Sequence, residues 1–299
     1  MIKEKYIDKC RVIPGKGVKL KKFGTGWAQN KELIEAGKEA VKARALEILE
    51  QNRLDLDSSQ ELLWASDTYS VLIILQGMDT SGKDGTIKHV MSGVNPQGCR
   101  VTSFRVPSAE ELDHDFLWRY WRHLPARGEI GVFNRSYYEE VLVVKVHPDL
   151  LDRQRLPDGK RNEKFWKDRY EDICAFERHL VRNGTLILKF FLHISKEEQK
   201  KRLLERLGTG EKLWKFSVSD LAERHHWDAY TGAYEEMLAA TSTGWAPWYV
   251  IPADHKWVAR TLIADIVSTT IQSLELHYPA VTDEQRAALA DARKALEQE

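Results

Sequence analysis

Residues 69–94 read YSVLIILQGMDTSGKDGTIKHVMSGV, and the three parts of this stretch decide the fold. Residues 70–75 are a short apolar run rich in β-branched side chains, which suits a strand buried on both faces of a parallel sheet. Gly77 to Lys83 then fits the phosphate-binding spacing GxxxxGK, and a helical stretch follows it. Glycine lets the backbone curl so that its N–H groups, with the positive end of the following helix, cradle a chain of phosphates. Lys83 adds a point charge there. Gly77, Met78, Thr80, Ser81 and Gly82 are therefore phosphate-binding candidates, with Asp79 and Lys83 as the chemical ones.

One position departs from the pattern. Asp84 stands where a Ser or Thr hydroxyl usually holds magnesium, and a second carboxylate, Asp79, lies inside the loop. Two anionic side chains beside a bound phosphate repel it unless a divalent cation sits between them, so the loop implies Mg²⁺, with Asp79 as the metal candidate. Asp84 reads equally well as a helix-start carboxylate favoured by the dipole.

At 299 residues with 42% hydrophobic content, the chain suffices for one large α/β domain with appendages. The formal net charge is zero, so no global field advertises nucleic acid and any anionic ligand must be held locally. Cys10, Cys99 and Cys174 are scattered without metal-ligand spacing, which points to reduced thiols in the cytoplasm. No apolar stretch approaches a membrane span and the N-terminus is charged, so a soluble intracellular protein is expected, with no membrane partner.

Residues 1–29 form a basic, glycine-broken arm that reads more readily as a solvated tail than as an anion-steering extension. Helices are expected over about 30–51 and 58–66, and strands over 101–106, 129–133, 185–194 and 248–251. Ser108 with Glu111, and Ser195 with Glu198, have the spacing of capping boxes, the first opening a helix to His123. Helices follow over 163–182, 219–240 and 254–277. Alternation of strand and helix predicts a five-stranded parallel sheet with helices on both faces, a three-layer sandwich. A last helix, in residues 281–299, looks peripheral.

The third strand ends in FNRSYYEEV, which places Asn134, Arg135 and Ser136 at its carboxyl edge, where ligands bind in open parallel sheets. An arginine there can contact phosphates bidentately. The helix KEEQKKRLLERLG carries Arg202 and Arg206 four apart and follows the strand after which a phosphotransferase lid would come, so a helical lid is expected over about 196–218. A solvated charged helix is the alternative.

With GMDTSGKD, NPQGCRV, GEIGVFNRSYYEEV and APWYVIPADHKWVAR in order, the chain over roughly residues 30–280 resembles the polyphosphate kinases of family 2. That resemblance implies a P-loop kinase fold similar to thymidylate kinases and Mg²⁺-dependent transfer of a phosphoryl group between inorganic polyphosphate and a nucleotide. It makes Asp79, Lys83, Arg135 and Arg202 catalytic and suggests a homo-oligomer. Many members have Asp where this chain has Asn134, which puts more of the magnesium burden on Asp79. Asn134 with Glu139 is similar to the branch that accepts both AMP and ADP; guanine nucleotides are further candidates. Glu139 is expected to be solvent-accessible and to tune acceptor choice, with Glu140 a surface carboxylate, and Lys83 an exposed loop lysine. An ATP-dependent nucleotide kinase of the same fold, or a non-catalytic polyanion-binding protein, are the competing readings.

Overall fold

In chain order the structure, a computed structural model that describes residues 1–208, 210, 213 and 217–299, begins with α1 (Glu4–Cys10), α2 (Lys31–Ala36) and α3 (Lys38–Ser66). Next come β1 (Ser70–Gln76), α4 (Lys83–Val90), β2 (Cys99–Ser103), α5 (Ala109–Leu112) and α6 (Trp118–Trp121). β3 (Ile130–Asn134) runs into a 3₁₀ turn (Tyr137–Val141), followed by α7 (Val143–Val146), α8 (Asp149–Asp152) and α9 (Glu163–Arg182). β4 (Thr185–His193), α10 (Lys196–Gly208), α11 (Val218–His225) and α12 (Trp227–Thr241) lead to β5 (Trp248–Pro252), α13 (Lys256–Gln272) and α14 (Asp283–Leu296).

The strands form one sheet in the order β2-β3-β1-β4-β5, with every pairing parallel. β1 is central, which is why all seven of its residues are buried. Its alternate side chains serve opposite layers, as the period of two requires. Val71, Ile73 and Leu75 pack with Leu56 and Leu63 of α3, Ile87 of α4 and Ile263 of α13. Leu72 and Ile74 pack with Tyr137, Ile173 of α9 and Met237 of α12. Each such burial contributes roughly 1.5–3 kcal/mol. The result is the expected three-layer α/β sandwich. Because the chain leaves β1 for β2 and returns to β3 on one side, then places β4 on the other, the carboxyl end of β1 lies at a topological switch point.

Several elements differ from expectation for local reasons. The helices expected over 30–51 and 58–66 are α2, which ends at Gly37 with φ +82°, and then one continuous α3 of 29 residues. The helix expected to reach His123 splits into α5 and α6, because Asp115 caps Leu117 N at 2.9 Å and restarts the chain. β2 starts and stops earlier than expected, since Phe104 turns into the core against Tyr120 and Phe133. At Ser195 only half of a capping box forms. Glu198 N donates to Ser195 Oγ at 3.1 Å, but Ser195 N is taken by Asp254 Oδ1 at 2.7 Å. α14 buries no residue, and among the described residues no helix is long and apolar enough to cross a membrane.

The arm is not a solvated tail. Its lysines stay exposed, but Val12, Val18 and Leu20 are buried, and Val12 N donates to Trp248 O at 2.8 Å beside an antiparallel bridge between Arg11 and Tyr249. Leu20 N donates to Glu235 Oε1 at 2.8 Å. The arm thus covers the otherwise open edge of β5, satisfying backbone groups there. Leu20→Ala is expected to lower unfolding free energy in urea by about 2–5 kcal/mol, as for a core leucine; stability equal to wild type would show the arm to be dispensable.

Candidate active site

The backbone of the phosphate loop is shaped by its glycines and by one strained residue, with a second strained residue across the cleft. Gly77, with φ +155°, has no room for a side chain: a Cβ there would stand 2.7 Å from Ser81 Oγ and 2.9 Å from Leu192 O. Gly82, with φ +103°, precedes α4 without any side-chain cap, so the first N–H groups of α4 are left for a ligand. Thr80 and Arg135 both have positive φ, at 63° and 65°. Such strain in non-glycine residues costs about 1–3 kcal/mol each and clusters where geometry matters for chemistry.

Lys83 is buried rather than exposed, at 9% of its accessible surface. Its ammonium folds back over the loop to Gly77 O at 2.6 Å and Met78 O at 3.4 Å. Burial, and secondarily the charge of Arg135, pull its pKa down to about 8, against the opposing pull of Asp79, Glu139 and Asp84. The remaining loop carbonyls are held from α10. Gln199 Nε2 donates to Asp79 O at 3.1 Å, and Arg202 donates to Thr80 O at 3.0 Å and Ser81 O at 3.1 Å. Arg202 also donates to Ala253 O, Asp254 O and Glu198 Oε1. Its five N–H positions are all taken, so this guanidinium is a buried clamp on the loop in this state. That is a correction to the expectation of a lid cation aimed at a phosphate.

Across the cleft, Arg135 bridges two carboxylates, reaching Asp79 Oδ1 at 3.1 Å and Glu139 Oε2 at 3.8 Å. Glu139, then Asp79, hold the guanidinium more firmly protonated against the cost of its burial. Glu139 is itself partly buried, which raises its pKa, with Arg135 and Lys83 pulling the other way. Glu140 is the core residue of the pair: it is 4% exposed, accepting from Tyr120 OH at 3.2 Å and Gln154 Nε2 at 2.7 Å. The surface role expected for Glu140 is therefore wrong. The 3₁₀ turn, with three residues per turn, sets these adjacent side chains about 120° apart, enough to leave Glu139 at Arg135 and Glu140 against Tyr120.

Asp84 accepts from Asn134 Nδ2 at 2.7 Å, tying the start of α4 to the end of β3. These groups line a cleft of about 780 Å³. Asp79, Thr80, Ser81, Gly82, Lys83, Asp84, Asn134, Arg135, Arg202 and Arg206 all reach it, with Arg206 paired to Asp220 at 3.2 Å. Gly77, Met78 and Glu139 do not line it, Glu139 meeting it through Arg135. Arg105, Asp220, Lys256 and Arg260 also line it and were missed by sequence reasoning. Arg105 follows β2 at the same sheet edge as Arg135, a signal that was available; Lys256 and Arg260 reach the cleft only through the packing of α13. Of the lid expected over 196–218, residues 196–208 form the packed helix α10, and residues 209, 211, 212 and 214–216 lie outside the described residues.

Among the described residues no cluster of three or more His, Cys, Asp or Glu side chains could hold a metal. The oxygens nearest the phosphate loop are the Asp79 and Asp84 carboxylates, with the unpartnered Asn134 Oδ1, Thr80 Oγ1 and Ser81 Oγ beside them. This hard, incomplete set suits Mg²⁺, which takes one or two carboxylates and completes its shell with water and substrate phosphate. It does not suit a closed nitrogen and sulfur site.

A family profile described as Polyphosphate kinase 2 matches residues 39–279. The chain is 53% identical over 242 residues to an ADP-polyphosphate phosphotransferase of Rhodopseudomonas palustris, covering 81% of this chain and 84% of the relative. It is 46% identical over 273 residues to an AMP/ADP-polyphosphate phosphotransferase of Meiothermus ruber, covering 91% of this chain and 96% of the relative. The crystal structure of Polyphosphate Kinase 2 from Arthrobacter aurescens superposes with a TM-score of 0.73 at 41% identity, covering 84% of this chain and 88% of that one.

The different burial of the two glutamates gives a test. Glu140→Ala leaves Tyr120 OH and Gln154 without a buried acceptor and is expected to lower stability by about 1–3 kcal/mol. Glu139→Ala is expected to change stability by less than half as much while altering the ratio of kcat/KM between nucleotide acceptors. Urea unfolding and steady-state kinetics on both variants check this; equal stability losses would contradict the assignment.

Proposed function

The chain belongs to the polyphosphate kinase 2 family, and on that premise we propose that it catalyses reversible, Mg²⁺-dependent transfer of a phosphoryl group from inorganic polyphosphate to AMP or ADP in the cytoplasm. The observation that carries this reading is the convergence of the α4 N-terminus, Lys83 and Arg135 on one cleft. Neither a nucleoside-triphosphate donor nor a purely binding role has support among the relatives. The catalytic unit spans residues 30–280, and the arm of residues 1–29 and the helix of residues 281–299 flank it.

Phosphoryl transfer asks for alignment and charge more than for covalent work by the protein. In the proposed reaction an oxygen of the acceptor's terminal phosphate attacks the terminal phosphorus of the donor. The bond from that phosphorus to its bridging oxygen breaks, and the shortened polyphosphate leaves with the electron pair. The loop N–H groups and Lys83 hold the donor chain. Arg135, already placed between Asp79 and Glu139, exchanges a carboxylate for the moving group. Bound Mg²⁺, held by Asp79 or Asp84 with Asn134 Oδ1, would neutralise charge on the phosphate oxygens. Glu139 would disfavour an acceptor carrying extra negative charge near it, which is how it enters acceptor choice.

Incubation with ADP, polyphosphate and Mg²⁺, with no nucleoside triphosphate, is expected to yield ATP, and AMP in its place to yield ADP. EDTA should silence both, and Lys83→Ala should lower the rate by about a thousandfold, the order found when a main electrostatic contact is removed. Absence of product with polyphosphate, but turnover with ATP and AMP, would favour the nucleotide-kinase reading.

Lys83 also predicts a proton linkage. Phosphate beside it raises its pKa above the value of about 8 in the free enzyme. The complex then holds more protons than the free enzyme above that pH, so affinity falls as pH rises through this window. Titration calorimetry at about pH 9 in two buffers of different ionisation enthalpy should show uptake approaching about one proton per polyphosphate bound. Lys83→Met should abolish it; uptake that persists in the variant would place the titrating group elsewhere.

A further inference from the structure

Beneath the turn that carries Arg135 and Glu139 lies a fully buried ion pair that the proposed reaction does not use. Lys189 of β4 and Glu177 of α9 are both at 0% exposure, 2.6 Å apart. Lys189 Nζ donates also to Tyr138 OH at 3.0 Å and to Thr241 O at 2.7 Å, which uses its three protons. The other oxygen of Glu177 accepts from Tyr137 OH at 2.8 Å and from Tyr138 OH at 2.6 Å. Two consecutive residues of one short turn are therefore fastened to a single carboxylate oxygen, and that oxygen belongs to a side chain locked on a separate helix.

Stability alone does not call for this arrangement, since a buried ion pair is often replaceable by apolar side chains of similar volume without loss. Its placement gives the stronger reason. Tyr137 and Tyr138 lie between Arg135, whose backbone is held at φ 65°, and Glu139, whose carboxylate faces that arginine. A non-glycine residue keeps such a conformation only when its surroundings over-determine it. On the sheet side Arg135 N is held by Leu75 O at 3.0 Å; on the other side Ser136 Oγ bonds the side-chain amide of Gln76 at 3.1 Å and accepts from Tyr138 N at 3.3 Å, and beyond it the two phenols are what fasten the turn to α9 and β4. The interior-facing aromatic packing of Tyr138 on Trp248, at 4.7 Å between ring centres, fixes its tilt as well.

We propose that Glu177 and Lys189 are positioning residues for the reaction, acting through the hydroxyls of Tyr137 and Tyr138 to hold Arg135 and Glu139 in the geometry of transfer. This rests on the phosphotransfer reading above. The pair touches no substrate; it sets where the arginine and the carboxylate stand.

The test removes the two hydroxyls and, with that of Tyr138, one of the three acceptors of Lys189. The double variant Tyr137→Phe with Tyr138→Phe keeps the packing and the Lys189–Glu177 pair. Its kcat for ADP is expected to fall by about tenfold or more, since small misplacements of reacting groups are costly. Amide exchange measured by mass spectrometry should quicken in peptides spanning residues 135–141. Leu20→Ala serves as control: it destabilises the domain from the arm, whose backbone bond at this residue runs to Glu235 and not to the turn of residues 137–141. It should lower the melting temperature while leaving kcat of the folded enzyme within about twofold. An active wild type whose double variant keeps its kcat, or loses it without faster exchange at 135–141, overturns the proposal, as does an equal kcat loss in the control. A wild type that makes no ATP from ADP and polyphosphate instead defeats the phosphotransfer reading. Should the double variant not fold, each single Tyr→Phe variant is expected to show a partial kcat loss with faster exchange, and two singles at wild-type kcat overturn the proposal in the same way.

Discussion

A loop that turns its N–H groups toward an anion must turn its carbonyls away, and in a folded interior each of those carbonyls needs a donor. The structure meets this demand at five successive residues. Lys83 takes Gly77 O and Met78 O, Gln199 takes Asp79 O, and Arg202 takes Thr80 O and Ser81 O. A buried carbonyl without such a partner costs about 1–3 kcal/mol, so the loop keeps its shape only while α10 stays packed beside it. The same helix is reached from α11, because Arg224 Nη1 donates to Gln199 Oε1 at 2.7 Å. Loop, α10 and α11 are therefore one mechanical unit, and the strained φ of Thr80 is tolerated within it.

The charges follow from that unit. A chain of zero net charge binds a polyanion by arranging opposite charges so that cations are freed locally at the site. Arg135 is shared between Asp79 and Glu139, and Lys83 is spent on carbonyls. Each is a cation held in readiness by a weaker partner than a phosphate chain. The cost of keeping Lys83 charged in a buried place is visible in its lowered pKa, and a bound phosphate relieves it.

How much could be read in the amino-acid sequence depended on how local the cause was. β1 and its loop were legible because an apolar run and a glycine spacing report directly on strand burial and backbone curl. Arg135 was legible because the end of a parallel strand is a fixed place relative to the ligand. Glu140 was misjudged as a surface carboxylate, since the partners that bury it, Tyr120 and Gln154, come from segments distant in sequence. Arg202 looked like a lid cation because its spacing to Arg206 is a helical one, and only the tertiary fold shows it facing the loop carbonyls instead. Lys189 gave a signal that could have been used: a lone lysine inside the apolar strand TLILKFFLH asks for a buried partner. The burial of Val12 and Leu20 was not legible, because the groups that cover them come from the far end of the chain.

That last feature bears on time as well as on stability. Ser242 Oγ donates to Val12 O across a sequence separation of 230, and β5, on whose edge the arm lies, is the last strand to be made. During synthesis the arm is made well before β5, and its bond to Trp248 O waits until residues 248–252 have been added. It is a clasp that closes after the sheet is built, and the entropy of closing so long a loop is met only once the rest of the domain has already drawn its ends together. A segment made early thus depends for its place on one of the last parts of the sheet.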